Sequence, residues 1–344
     1  MKKNKDSIIL GIESSCDDTS AAILKNGVLL SNITASQGVH QKFGGVVPEL
    51  ASRAHQENIV PTVDAAIKEA GIDIKDITAI AFTRGPGLLG SLLVGTSFAK
   101  SLSMSLNIPL LDVHHMKAHV HAHFIQEKNI DYTPPSFPFI CLTVSGGHTQ
   151  IVYVENPLKM KVIGETIDDA IGEAFDKAGK LLGLGYPAGP LIDKHAMLGD
   201  SNKYQFTYPK ANALNYSFSG LKTQFLYFLN KNIKENANFI NENLQHISAS
   251  YQSHLINYLL INFKKALKKY PCNDIAIAGG VSANSHLRKK FTALGKELKC
   301  RVHIPKMSFC TDNAAMIAMS GFFLEKEGKF SDLEISASAR ITMN

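Results

Sequence analysis

The sequence lacks most of what marks a secreted or membrane-inserted chain, and each absence excludes a class. Its five cysteines (Cys16, Cys141, Cys272, Cys300 and Cys310) are scattered, and no two form a C-x-x-C pair. A disulfide framework would use its thiols in pairs, so these read as reduced cysteines of a cytoplasmic protein. No stretch approaches the ~18 apolar residues of a membrane span. The amino terminus, MKKNKDSIILGIESSCDD, opens basic, but Glu13 and Asp17 interrupt its short apolar run. It reads as a first strand and not as a signal peptide. A cytoplasmic location without membrane attachment is the expectation. Strong charge of one sign is missing too: the formal net charge is +6 over 344 residues, with a sequence pI near 8.9. That balance is compatible with a nucleic-acid partner but does not require one. Apolar side chains are plentiful at 45% of the chain, enough for two domains with cores of their own.

One stretch concentrates metal-capable chemistry: HHMKAHVHAH at 114–123, following the apolar run IPLLDV. In a helix His115 and His119 would sit one turn apart on one face, able to hold a single metal ion. Solvated or hydrogen-bonded histidines are the alternative. Met116 stands where H-E-x-x-H metalloproteases carry their Glu, so a third ligand must come from elsewhere.

Taken in order, residues 8–34 read as three strands around a polar turn, ESSCDDTS, and an Asn26-Gly27 hairpin turn. The polar turn could approach phosphates through its amides and hydroxyls while its carboxylates handle a cation, or it is an ordinary tight turn. Residues 44–71 read as a loop and a long helix ending at Gly71. Residues 77–115 form a strand–helix–strand crossover whose Gly85, Gly87, Gly90 and Gly95 permit close approach, to a ligand or between helix and sheet. A Pro-rich break at 131–138 marks the expected domain boundary. The pattern then restarts. Residues 139–168 give strand, glycine turn, strand, strand, and 273–318 give a second crossover that ends near Asp312. This duplication predicts an α/β fold of the actin–hexokinase–Hsp70 type: two RNase H-like domains with a cleft between them. The predicted halves are 1–133 and 134–324, with a helical insert at about 168–270, and 325–344 returning to the first half. In the insert, Ile247, Tyr251, Leu255, Tyr258 and Leu259 form a packing stripe, and Lys264, Lys265, Lys268 and Lys269 a solvated basic face. His115, His119 and Asp312 emerge at equivalent ends of the crossovers. Two imidazoles and a carboxylate with open positions describe a catalytic metal site, not a closed structural one.

GIESSCDDTSAAI, GGVVPELASRAHQENI, RGPGLLGSLLVG, HMKAH, VSGGHTQI, GEAFDKAGKLLGLGYPAGP, FSGLKT, GGVSANSHLR and CTDNAAMIA occur in this order over nearly the whole chain. Together they closely resemble blocks of the TsaD (YgjD/Gcp) family of tRNA threonylcarbamoyladenosine transferases. The resemblance implies transfer of a threonylcarbamoyl group from threonylcarbamoyl-AMP to an exocyclic amine. The acceptor would be the adenosine beside the anticodon in tRNAs reading codons that begin with A. It implies one divalent metal ion on His115, His119 and Asp312, with iron the expected occupant and zinc the alternative. Thr143, Val144, Ser145, Gly146 and Gly147 match the substrate-binding turn. Asp176, Gly189, Asp193 and Asn284 match positions that hold the adenylate, and Glu13 with its turn matches the first phosphate loop. Glu13 and His148 are the catalytic candidates, as acceptors of the amine proton.

The chemistry suits these residue types. A mixed anhydride needs orientation and stabilisation of developing oxygen charge more than a nucleophile. The implied partners are a TsaB-like paralogue, through the N-terminal half, and a TsaE-like ATPase. The sequence departs from the family in small ways: Ala188 stands in YPAGP for the usual glycine, Lys117-Ala118 for Glu-Gly, and His114 is an additional imidazole. A metallopeptidase would need a base that this motif lacks. A small-molecule kinase would leave the metal set idle, and a scaffold role would require a lost site.

Overall fold

The structure, a computed structural model, describes residues 6–209 and 211–343. The chain forms two units: Met1–Pro134, Asn156–Met160 and Pro305–Asn344 make unit 1, and Pro135–Glu155 with Lys161–Ile304 make unit 2. The first break between them falls inside the Pro-rich segment.

Unit 1 grows from a meander of β1 (Ile8–Glu13), β2 (Asp18–Lys25) and β3 (Val28–Ser36), paired antiparallel. Asn26 and Gly27 both adopt positive φ, 52° and 83°, as the tight turn between β2 and β3 requires. The helix α1 (Pro48–Ala70) starts on a proline and stops at Gly71 in the left-handed conformation. After it come β4 (Ala79–Gly85), α2 (Leu89–Leu106) and β5 (Leu110–His114), and the two strands lie parallel to β1. The helix α3 (His115–His121) begins directly where β5 ends, and β6 (Gln126–Glu127) closes the sheet in the order β5-β4-β1-β2-β3-β6. β1 is buried along its whole length, as a central strand covered on both faces must be.

Unit 2 repeats the plan. Its sheet contains β7 (Phe139–Val144), β8 (Thr149–Asn156), β9 (Lys159–Glu165), β10 (Asp274–Ala278) and β11 (Arg301–His303), in the order β11-β10-β7-β8-β9. β7 and β8 are antiparallel, whereas β10 and β11 join parallel to β7. Between β9 and β10 stand α4 (Ile171–Leu181), α5 (Ala188–Ala196), α6 (Ser219–Glu235) and α7 (Phe239–Lys269). The predicted α7 stripe, Ile247, Tyr251, Leu255, Tyr258 and Leu259, is buried in this unit's core. Of its basic end, Lys264 pairs with Glu297 at 2.9 Å. The second crossover runs through α8 (Ser285–Leu298) between β10 and β11.

The final helix departs from the expected halves. The sequence reading assigns residues up to 324 to the second half, yet α9 (Ala314–Lys326) packs on the sheet of unit 1 with the rest of Pro305–Asn344. The reason is side-chain size. Ala314, Ala315, Ala318 and Gly321 give α9 a face of small residues, and Gly11 on β1 lacks a side chain beneath it. A Cβ at Gly11 would lie 2.4 Å from the Ala314 carbonyl oxygen and 2.8 Å from the Ala318 Cβ. One at Gly321 would lie 2.5 Å from the Ala81 Cβ. Helix and sheet thus touch almost backbone to backbone, and an apolar core forms around them.

Gly11→Val should therefore lower the unfolding free energy by about 1–3 kcal/mol or more, measured in urea, because overpacking against backbone cannot relax cheaply. Gly38→Ala is the control: nothing lies within 4 Å of an added Cβ there. It should stay within about 0.5 kcal/mol of the parent. Equal stability of the Gly11→Val variant would refute the close-contact account.

Candidate metal centre and glycine turn

The metal-capable set lies wholly in unit 1. His115 and His119 are one turn apart on α3, and Asp312 precedes the Asn313 N-cap of α9, whose side chain accepts a bond from Met316 N at 3.1 Å. One potential ligand atom from each residue falls within 4.8 Å of the others. The Nε2 atoms of His115 and His119 lie 3.4 and 3.2 Å from the same oxygen, Asp312 Oδ1. Their rings are set edge to face at 4.8 Å, so both nitrogens converge instead of stacking.

Glu13, at the end of β1, completes the arrangement from behind. His115 Nδ1 donates to Glu13 Oε2 at 3.0 Å, and Ser15 Oγ lies 3.2 Å from the same nitrogen. Fixing the proton on Nδ1 leaves the Nε2 lone pair directed at the set, as metal-bound histidines generally require. Glu13 is completely buried, and its oxygens also accept from Ser15 N at 2.5 Å and Thr83 Oγ1 at 2.7 Å. The carboxylate is thus engaged within the protein. Burial works against a charged His115, but Asp312 and Glu13 outweigh it and hold its pKa well above the ordinary imidazole value. Burial likewise pushes the Asp312 carboxyl up, and His115 more than reverses that.

The residues fit a metal ion. His119 is fully buried, and its Nε2 faces only the Asp312 carboxylate oxygen that His115 Nε2 also faces, so both imidazoles and the acid point at one common spot. Carboxylates that hold a proton on His115 would also draw a divalent cation. Two imidazoles and a carboxylate are a common open-site donor set for iron or zinc. The other histidines of the stretch do different work. His114 Nδ1 accepts from Met116 N at 3.2 Å as the helix N-cap, and buried His121 bonds Ser320 Oγ at 2.7 Å and the Pro157 carbonyl at 2.8 Å.

The first polar turn is held by contacts that the sequence pattern does not reveal. His55 on α1 bonds Thr19 Oγ1 at 2.7 Å and the Cys16 carbonyl at 3.0 Å. Burial, with the surrounding carboxylates, pushes the Cys16 thiol far up, so it remains protonated. The crossover glycines admit neighbouring chain: a Cβ at Gly87 would meet the Ser15 carbonyl oxygen at 2.5 Å, and one at Gly95 the Ser14 hydroxyl at 2.3 Å.

Unit 2 carries the glycine turn and the remaining expected residues. Thr143 and Val144 end β7 fully buried, while Gly146 and Gly147 are exposed at the tip. Ser145 and His148 close the turn through Ser145 N to the His148 carbonyl at 2.8 Å and His148 N to Ser145 Oγ at 3.1 Å. The first turn of α4 abuts it, since a Cβ at Gly172 would lie 2.6 Å from the Ser145 carbonyl oxygen. Gly279, at φ 88°, presses against Val144 in the same way, at 2.4 Å from its carbonyl oxygen. Asp176 caps the start of α5 by accepting from Ala188 N at 2.8 Å; burial raises its pKa, against the pull of the Ala188 and Gly189 amides. Ala188 is accommodated by Gly179, where a Cβ would come within 2.1 Å of the alanine methyl.

Asp193 and Asn284 share one buried network. Gln252 on α7 donates to Asp193 Oδ1 at 2.9 Å and accepts from Asn284 Nδ2 at 2.7 Å. Ser285 adds its amide and hydroxyl to Asp193, each at 2.9 Å, and Asn284 Oδ1 caps α8 through Leu287 N at 2.9 Å. Gln252 is absent from the sequence reading. Its one signal was a polar residue beside the apolar stripe of a long helix, and buried Ser248, Ser250, Ser253, His254 and Asn262 share that signal.

Comparison with known proteins bears on the whole chain. The family model for TsaD, described as tRNA N6-adenosine threonylcarbamoyltransferase, matches residues 28–319. A curated tRNA N6-adenosine threonylcarbamoyltransferase of Christiangramia forsetii is 56% identical over 332 residues, covering 96% of this chain and 97% of that protein. Among solved structures, the HypF of T. kodakarensis superposes with a TM-score of 0.61 at 15% identity, over 95% of this chain and 49% of HypF. A ROK hexokinase of Thermus thermophilus gives 0.50 at 13% identity, over 93% and 100% respectively. The structural likenesses support the actin–hexokinase–Hsp70 class of fold. Among the described residues no helix is long and apolar enough to cross a membrane.

Two substitutions test the geometry. His119→Ala should remove most bound metal, and Glu13→Gln should weaken metal affinity about 10–100-fold, as read by chelator competition. Unchanged affinity in Glu13→Gln would remove Glu13 from the His115 support. Gln252→Ala should cost about 1–3 kcal/mol of stability by leaving Asp193 and Asn284 short of partners; an unaffected urea midpoint would contradict the network.

Proposed function

This chain belongs to the TsaD family of tRNA N6-adenosine threonylcarbamoyltransferases, and from that premise we propose how its residues divide the work. It is a transferase of tRNA modification. The proposed reaction moves the threonylcarbamoyl group of threonylcarbamoyl-AMP onto the exocyclic amine of the adenosine beside the anticodon, in tRNAs reading codons that begin with A. AMP is the leaving group, and the amine loses one proton. The observation that carries the reading is the convergence of His115, His119 and Asp312, with both imidazole Nε2 atoms directed at one Asp312 oxygen.

His115, His119 and Asp312 would hold one divalent ion, iron in our reading and zinc as the alternative. When bound, such an ion supplies Lewis-acid stabilisation of charge developing on the substrate's oxygens. Glu13 is a positioning residue: its engaged carboxylate keeps His115 in the tautomer and orientation that ligation needs. In unit 2 the exposed Gly146 and Gly147, following Thr143, Val144 and the turn-closing Ser145, would present amide donors to a phosphate. Asp176 and Gly189 shape the start of α5, while Asp193 and Asn284, braced by Gln252, form a rigid wall for the adenylate. Rigidity matters here because acyl transfer from a good leaving group depends on placement more than on activation. His148, half-exposed on the turn, is the remaining proton-acceptor candidate. A TsaB-like paralogue and a TsaE-like ATPase complete the proposed machinery, and the cytoplasm is its proposed location.

Unmodified tRNA, chemically made threonylcarbamoyl-AMP, this protein and the partner subunits would be combined, and the digested tRNA analysed for threonylcarbamoyladenosine by mass spectrometry. Product should form with the parent and fall at least about 100-fold in His115→Ala and Asp312→Ala. Asn284→Ala should act chiefly on KM for the adenylate. Absence of product from folded, metal-loaded parent protein would defeat the reaction assignment.

A further inference from the structure

A second feature of unit 1 has no place in this chemistry. A cavity of about 210 Å³ opens between β5, α3, α9 and the carboxy-terminal segment. Arg84, His114, Lys117 and Lys329 line it, with Asp112 as its one carboxylate. That carboxylate is already committed: Arg84 Nη1 lies 3.3 Å from Asp112 Oδ2, and Ser331 Oγ donates to Asp112 Oδ1 at 2.6 Å. Arg84 Nε donates to the Ser336 carbonyl at 3.2 Å, leaving guanidinium N–H groups to spare. Lys117 is half-buried and Lys329 exposed, and neither ammonium has a carboxylate partner among the described residues. Two ammonium groups lining one cavity without a carboxylate partner leave uncompensated positive charge that an anion would neutralise.

We propose that this cavity binds a phosphate group. Two ammonium groups match the double charge of a phosphomonoester or of two successive backbone phosphodiesters. Their six N–H donors, with the free edge of Arg84, can satisfy phosphate oxygens from several directions. A carboxylate ligand would leave part of that charge uncompensated. The phosphate can come from a free ion or nucleotide or from the backbone of tRNA. Only the second source rests on the reading of the preceding subsection.

The test uses the full-length protein and a Lys117→Gln/Lys329→Gln double variant. A Lys268→Gln/Lys269→Gln variant, which removes the same charge from α7, is the control. Inorganic phosphate and pyrophosphate are titrated by calorimetry, and unmodified tRNA is titrated by filter binding over a range of salt. The double variant should bind at least one probe about tenfold more weakly than the parent, with the control close to the parent. Loss toward phosphate or pyrophosphate identifies a free ligand. Loss confined to tRNA, with a salt slope shallower by about two, identifies the backbone. Equal binding of every probe by the double variant and the parent overturns the proposal. So does an equal loss in the control. Metal content and thermal melting are read in parallel; should the double variant lose either, Lys329→Gln, whose residue lies outside α3, is judged by the same criterion. The calorimetry does not depend on transferase activity, so failure of the reaction assignment and failure of this proposal give separate signatures.

Discussion

The metal set depends on a helix being allowed to sit directly on a sheet. Asp312 is far along the chain from His115 and His119, and only the docking of α9 on β1 and β4 brings it to them. That docking needs the absent side chain of Gly11 and the small residues of α9 together. Because the contact is nearly backbone to backbone, the start of α9 has little freedom to slide. The Asn313 cap fixes the last degree of freedom at the point where the chain turns into the helix. A close apolar contact thereby sets the position of a charged ligand.

Much of the fold was legible because each element carries local signals. The meanders, the Asn-Gly turn, the crossover units and the buried α7 stripe follow from periodicity and turn chemistry, and the duplication follows from their repetition. The allegiance of α9 was not legible. Its sequence continues the second crossover without a break, and apolar pattern alone does not say which of two sheets a small-residue face will meet. Shape decided it, through the one glycine in β1.

The candidate site divides in the same way. His115 and His119 could be read as a pair because a helix places i and i+4 together. Asp312 came from the duplication argument and from the family blocks. Glu13 behind His115, His55 behind the first turn and Gln252 between Asp193 and Asn284 were out of reach, since each bond joins residues remote in sequence. Sequence reading left Glu13 open between accepting a proton and a structural or electrostatic role; the donors around it agree with the second, holding an imidazole in place.

Chain order gives the late arrival of Asp312 a consequence for biosynthesis. The strand and helix that carry Glu13, His115 and His119 leave the ribosome before any of unit 2, whereas the segment that supplies the acid follows the whole of it. During that interval the nascent chain holds Glu13, His115 and His119 without Asp312. Assembly of the His115–His119–Asp312 set is thereby postponed until both units have been synthesised. A chain halted within unit 2 lacks Asp312, so the candidate set can be completed only in a chain translated past both units.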